Sequence, residues 1–519
     1  VSAPAGSTRA LVLFLFLTVA HTWPLASAPH RLSLNHNADA QLNAWIVTWI
    51  AHVLPTEPSQ FWQGNIFQPG EAALTFSEPL VVPALAGAPV FWLTGSAVLT
   101  FNLLLLAGLT MTAWTTWRVV AGWTGSSNAG LLAGALITFN AHLLTRLPHL
   151  QAAHAWGLLL VWGTAWALLQ GKGRWWWLAG AVTLVAATSL HWLVFAVIGV
   201  GLMVVTLWPP RARVVAVVAG GAAGVLAALP VLWPHLTDGV RRPIEQVADF
   251  SATPGGYLSS MSWLHRGWST NAATVETNLW FPGVVCLVLA TVGLVVGWKT
   301  SRLTRWALAL VLVGFVLSLG TATPVYEWVY RLFPPVQGGL WALVGLALLA
   351  AIAVAWLERR LRPGMARVLV VASIGLATVE AVHSPIHTTP SSGVPAVYSL
   401  LRDEPGPVLL AEMPFYPPDA VFENGEYVLN ATAHWRPVMN GYSGMTPMSY
   451  RRHAETLWYF PQARAFVGLQ EAGATHVMVH LEKFGAEAAD VARSLDGRQD
   501  LRLMAADRDG HRLYRLVRE

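Results

Sequence analysis

The sequence predicts an all-α, multi-spanning membrane protein of about eleven helices, followed by a C-terminal exoplasmic α/β domain. Three observations carry this. Of 519 residues, 55% are hydrophobic and 11% are Asp, Glu, Lys or Arg, against roughly 25% charged in soluble domains. The apolar residues gather in runs of spanning length, roughly 17–25 residues. After residue 383 those runs stop, and the segment 384–519 holds 16 of the 27 acids.

The runs fall at about 10–28, 96–117, 128–146, 150–170, 175–190, 192–208, 213–233, 281–298, 305–321, 338–357 and 366–383. The fifth and sixth are divided because Trp175 to Trp208 is too long for one helix, and Ser189, His191 and Trp192 mark a tight turn. The first run, ALVLFLFLTVA followed by ASA, reads either as a span or as a signal peptide with a small-residue cleavage site. Either way the next loop is exoplasmic. The lone Cys286 lies in an apolar run and excludes a disulfide framework.

A net charge of +5 would by itself suit a nucleic-acid partner, but its distribution points elsewhere. If the helices alternate, Arg9, Arg118, Lys172, Arg174, Arg211, Arg213, Lys299, Arg302, Arg305, Arg359, Arg360, Arg362 and Arg367 share one side. Basic short loops mark the cytoplasm. Before residue 384 only Glu358, among the acids, falls there. Acids contribute little to topology, so their gathering outside marks a place for chemistry.

Two domains follow, 1–383 in the membrane and 384–519 outside it. The first has long exoplasmic loops at 29–95 and 234–280. In the second, VLLAEM (408–413), THVMVHL (475–481), Leu501 to Met504 and His511 to Leu516 read as strands, with a helix from Glu487 to Ser494.

Within the first loop, NHNADAQLNAW (35–45) sets one acid, Asp39, among Asn, His and Ala. Leu42, Trp45, Ile46, Trp49, Ile50 and Val53 recur at spacings of three and one. That describes a helix over 40–54 with one apolar face, lying flat at the membrane interface. Asp39 is placed to cap it, since Asp is a preferred N-cap; a metal ligand and a catalytic base are the other readings. Further on, Ser77, Glu78 and Pro79 read as a helix start, where an acid suits the helix dipole. Between the third and fourth runs, Arg146, His149 and His154 cluster. His149 and His154 are five apart and do not share a helical face, so they form no two-His metal motif. Arg146 and His149 instead suit a phosphate headgroup. Arg241 and Arg242 are further phosphate candidates, and Tyr257, Trp263, His265 and Trp268 could line a sugar site.

An opening helix, a long exoplasmic loop with an Asp just after it, a flat helix, many further spans and an exoplasmic tail form a layout. It resembles the GT-C class of membrane glycosyltransferases, including the dolichyl-phosphate-mannose protein mannosyltransferase-like and RgtA/B/C/D-like enzymes. The segments DAQLNAWIVTWIAH, NIFQPGEAALTFSEPL and AEMPFYPPDAVFENGEYVLNATAHWRPVMNGYSG are similar to those of bacterial multi-spanning proteins. The resemblance implies transfer of a sugar from a polyprenyl-phosphate donor to a glycan, lipid or protein acceptor at the outer face of the bacterial inner membrane. Under it Asp39 matches the first-loop catalytic acid. Glu78 would position Asp39, bind acceptor hydroxyls or share a divalent ion (Mg²⁺ or Mn²⁺) with it. Arg146, His149 and Arg241 would meet the donor phosphate. The chain departs from the pattern in having Ala38 and Ala40 beside Asp39, and PPVQGGLW (334–341) where relatives often carry Arg.

Overall fold

The computed structural model describes residues 6–517 except 71, 238–243, 245–247, 249–250, 270–277 and 333–338. The membrane part is built from α1 (Ser7–His21), α2 (Ala38–Thr56), α3 (Val81–Thr94), α4 (Ala97–Thr124), α5 (Ser127–Thr138), α6 (Ala141–Leu144), α7 (Leu150–Ala153) and α8 (Trp156–Leu169). It continues through α9 (Trp175–Ala186), α10 (Leu190–Leu207), α11 (Arg211–Ala227), α12 (Leu229–Thr237), α13 (Val284–Gly297), α14 (Arg302–Ser318), α15 (Gly339–Glu358) and α16 (Pro363–Ala381).

Every one of the eleven apolar runs coincides with a helix, but fewer qualify as spans. Among the described residues five helical segments are long and apolar enough to cross a membrane. They become six if α11 and α12, bent by 72°, count as one. The remainder fall short by length: the 12 residues of α5 rise about 18 Å, against a hydrocarbon core of about 30 Å. The turn expected near residue 190 is present. Ser189 caps α10 by accepting from Trp192 N–H, so His191 and Trp192 belong to the helix rather than the turn.

Helix α15 is the bundle's central member, packed against α13, α14 and α5. Its close approach to α13 depends on Gly293, where a Cβ would lie 1.8 Å from the Leu349 carbonyl. At one end of the bundle Glu358 accepts from Ser126 Oγ and, at 2.9 Å, from Asn128 Nδ2, tying α15 to the α4–α5 turn.

At the other end the chain folds into a four-stranded sheet of β3 (Leu410–Met413), β4 (His476–His480), β5 (Leu501–Ala506) and β6 (His511–Leu516), in the order β3-β4-β6-β5. The β3–β4 pair is parallel and the rest antiparallel. Helices α17 (Gly425–Asn430), α18 (Met448–Leu457), α19 (Ala463–Glu471) and α20 (Ala488–Asp496) complete it. All four expected strands and the helix after Glu487 are present. A small ladder of β1 (Leu32–Ser33) and β2 (Thr389–Pro390) joins the start of the first loop to the start of the tail.

The first loop and the tail are stitched together along their backbones. Phe67 N–H donates to the Asn440 carbonyl, Gln68 N–H to Val438, and Val438 N–H to Asn65, at 2.7–3.0 Å. Asn65 also accepts from Trp45 Nε1 at 2.8 Å, carrying the seam down to α2.

This seam corrects the reading of α2 as a flat interfacial helix. Its residues from Ala40 to Ala51 are all buried, including Gln41, Asn43 and Thr48 on the face expected to meet water. One side packs on α3 and α4, and the tail's α17 covers the other. At Gly425 a Cβ would come within 3.0 Å of Ala38 Cα and 2.3 Å of Gln41 Oε1, so only glycine allows that contact.

Candidate functional site

The first turn of α2 decides how Asp39 can act. Asp39 does not cap the helix. Asn37 is the N-cap, in extended conformation, and its Oδ1 accepts from Asp39 N–H at 2.9 Å. The carboxylate of Asp39 is therefore not consumed by the helix end. Three Asx residues lie two apart at Asn35, Asn37 and Asp39, and capping propensity alone does not choose among them.

Two groups from distant parts of the chain meet that carboxylate. Tyr442, in the tail, donates its hydroxyl to Asp39 Oδ1 at 2.9 Å. His149 presents Nε2 to Asp39 Oδ2 at 3.6 Å, longer than a hydrogen bond. Both side chains keep about a third of their surface, 34% for Asp39 and 30% for His149. Asn43 sets the spacing. Buried one turn along α2, its amide donates to the Asp39 carbonyl at 2.7 Å and to the Pro148 carbonyl at 3.2 Å. It thus fastens the turn carrying His149 to the turn carrying Asp39.

Arg146 lies in the same short turn, and its carbonyl accepts from His149 N–H at 2.9 Å. The neighbouring His142 is buried and stacks on Trp280 at 3.5 Å between ring centroids. So the turn brings two imidazoles and one cation to the end of the bundle where the tail sits.

Other expected residues have different partners. Glu78 precedes α3, which starts at Val81 rather than at Pro79. Its Oε2 accepts from Leu190 N–H at 2.7 Å, so this acid meets the N-terminus of α10. Tyr257 shares a 2.6 Å hydrogen bond with Ser318 Oγ at the end of α14. Trp263 donates Nε1 to the Ser384 carbonyl at 2.9 Å and remains half exposed. Arg241 and Arg242 lie outside the described residues, as does the side chain of Trp268. Tyr442 was not foreseen. It lies 403 positions from Asp39, and no local pattern connects them.

A cluster of metal-ligating residue types lies elsewhere. Among the described residues no third carboxylate or imidazole joins Asp39 and His149 closely enough to cradle an ion. One such group does occur, formed by His480, Glu482 and His511 in the tail.

No protein-family model matches the chain, and a search of curated proteins finds no relative. Solved structures do share its fold. It is similar to arabinofuranosyltransferase AftD from Mycobacteria, with a TM-score of 0.61 at 15% identity over all of this chain and 40% of that one. It is also similar to the oligosaccharyltransferase AglB from Archaeoglobus fulgidus, with a TM-score of 0.53 at 11% identity. That match covers 95% of this chain and 71% of the archaeal one. The chain thus spans two fifths of the mycobacterial protein's length. These neighbours are GT-C glycosyltransferases, and the fold of this multi-pass membrane protein is GT-C-like.

Proposed function

We propose that this chain, carrying a GT-C-like fold, is an inverting glycosyltransferase. It moves a sugar from a polyprenyl-phosphate donor to a glycan, lipid or protein acceptor on the exoplasmic face. The observation that carries this reading is the state of Asp39. Its carboxylate is relieved of capping by Asn37, held on one oxygen by Tyr442, and left accessible on the other beside His149.

The chemistry divides unevenly between the two substrates. A lipid phosphate leaves readily, whereas a sugar or protein hydroxyl is a poor nucleophile at neutral pH and needs a base. Asp39 Oδ2 takes that proton as the hydroxyl attacks the anomeric carbon from the side opposite the phosphate. The C–O bond to phosphate breaks, and the configuration inverts. His149 and Arg146 offset the charge that grows on the departing phosphate, a contribution that scales with how well such groups are fixed in advance. Asn43 supplies the fixing. The AglB neighbour was solved with a dolichol-phosphate, a lipid phosphate of the class proposed here.

A transporter reading needs ionisable side chains working at mid-membrane. The nearest candidates in the sequence are His191, Glu327 and Glu380, all at helix ends; Glu380, at the end of α16, lies 3.3 Å from His265 Nε2 and accepts from the backbone N–H groups of Val284 and Val285 at the start of α13. An acid at a helix end that accepts from another helix's first N–H groups has a structural task there, which supports the transferase.

The test is reconstitution of the whole chain into liposomes with a panel of radiolabelled polyprenyl-phosphate sugars, followed for donor loss and labelled product. Consumption of one donor by the wild type and none by Asp39→Asn is expected. Equal consumption by the two, or none across the panel, would overturn the proposal.

A further inference from the structure

The tail holds a second group of chemistry-bearing side chains, which the proposed transfer does not use. His480 ends β4 and His511 begins β6, and the antiparallel register makes them direct partners. Cross-strand partners project to the same face of a sheet, and here the two rings meet edge to face at 5.0 Å. Glu482 follows two residues after His480, in the turn Leu481–Glu487. One atom from each of the three lies within 4.8 Å of the others. Glu482 Oε1 is 3.5 Å from His480 Nδ1 and 3.8 Å from His511 Nε2.

The far nitrogens explain which way the rings face. His480 Nε2 lies 2.7 Å from Oε2 of Glu412, a carboxylate with no exposed surface. His511 Nδ1 lies 2.7 Å from Asp507 Oδ2, and Asp507 is fixed in turn by the backbone N–H groups of His511 and Asp509. A carboxylate behind an imidazole holds its proton on that side and turns the other nitrogen's lone pair outward, which is how metal-binding histidines are oriented. The outward nitrogens here converge on one carboxylate oxygen. His480 Nδ1 is buried and makes no hydrogen bond. Three electron-rich atoms facing one another repel unless a cation lies between them.

We propose that His480, Glu482 and His511 bind a divalent transition-metal ion of the zinc class. The donor set selects it, since imidazole suits Zn²⁺, Cu²⁺ and Ni²⁺ whereas Mg²⁺ and Ca²⁺ want oxygen. Distance agrees. Bonds of about 2.0–2.1 Å in a tetrahedron separate the ligand atoms by about 3.4 Å. The observed 3.5 and 3.8 Å from Glu482 need only a few tenths of an ångström of closure, and all three ligand atoms lie within 4.8 Å of one another. Glu482 is exposed, so a water completes the fourth position from the solvent side. A proton is the competing occupant. Burial pushes the His480 pKa down, but Glu412 and Glu482 outweigh it and raise it to about 9. Yet 3.5 and 3.8 Å are longer than a bridging proton needs.

The ion would pin the 481–487 turn to the sheet. Lys483, next to Glu482, bonds Glu426 of α17 at 2.8 Å, and α17 is the helix that covers α2. The site therefore steadies the covering over Asp39 from a distance, without touching the reaction.

The experiment uses the full chain in detergent. Metal content is measured after dialysis, and cobalt is substituted to read its visible spectrum. About one zinc per chain is expected, with tetrahedral cobalt bands. EDTA should lower the melting temperature and added zinc restore it. Glu482→Gln and His511→Ala should weaken zinc binding by at least the ~10–100-fold that a lost supporting partner costs, while Asp39→Asn keeps it. Glu482 is exposed, so its variant folds and keeps the test decisive. A chain that holds no zinc and whose melting ignores added zinc overturns the proposal. So does a Glu482→Gln variant that binds like the wild type.

Discussion

Asn37→Ala and Asp39→Asn should separate folding from chemistry within a single helical turn. The Asn37 side chain accepts from Asp39 N–H at 2.9 Å, and losing such a cap costs typically about 1 kcal/mol of stability. Asp39→Asn keeps the cap, the side-chain volume and an acceptor for the Tyr442 hydroxyl. Its structural loss is the 3.6 Å approach to His149, between side chains 34% and 30% exposed. Solvent screening holds that to under about 1 kcal/mol. What it removes is a proton acceptor. General-base catalysis contributes about 10²–10⁴-fold, which is about 2.7–5.5 kcal/mol on the barrier. Both variants would be followed by tryptophan-fluorescence melting and by labelled-sugar transfer per folded molecule. Asn37→Ala is expected to melt early yet transfer normally once folded. Asp39→Asn should melt like the wild type and lose at least ~100-fold in transfer. An Asp39→Asn enzyme retaining more than about a tenth of its activity would refute the reasoning, because no base mechanism tolerates so small a loss.

Tyr442→Phe removes one hydrogen bond to a charged oxygen, worth about 1.5–3 kcal/mol when buried and nearer 1 kcal/mol at this exposure. Transfer should fall by about fivefold in a single-turnover assay, and an unchanged rate would remove Tyr442 from the site. His434 offers a pH test of the tail. Burial, with Arg436 and Arg402 beside it, lowers its pKa to about 3. Its folded pKa lies below the unfolded 6.5, so the unfolded chain binds a proton that the folded one refuses. Stability is thus unaffected above pH 6.5 and falls below it by about 1.4 kcal/mol per unit, reaching about 2 kcal/mol at pH 5. His434→Phe should flatten denaturation curves between pH 6.5 and 4, and parallel curves for variant and wild type would contradict this.

Some of this was legible in the residues and some was not, for identifiable reasons. The strands at VLLAEM and THVMVHL declare themselves through short β-prone runs bounded by turns. The helices declare themselves through uninterrupted apolar stretches, although several prove too short to span because breaks such as Phe139–Asn140 interrupt them. Asp39 could be singled out as an isolated acid after the first helix. Its neighbourhood could not, because Tyr442 arrives only when the tail folds onto the first loop. The same covering hides the polar face of α2, which periodicity alone assigns to water. Glu78 looked like the first-turn acid of its own helix. It serves a different one, α10, because helix ends accept any carboxylate that tertiary packing brings near.

The hydroxyl of Tyr442 on Asp39 also has a consequence in time. Residue 442 lies downstream of α1 to α16, so it leaves the ribosome after the membrane helices are complete. A nascent chain made as far as α16 still leaves the Asp39 carboxylate without its Tyr442 donor. Only when the tail has been made and the Val438–Asn440 seam has closed on the first loop does the carboxylate gain its donor. On the proposed function, the site is thus completed by the docking of the tail rather than by the packing of the membrane helices.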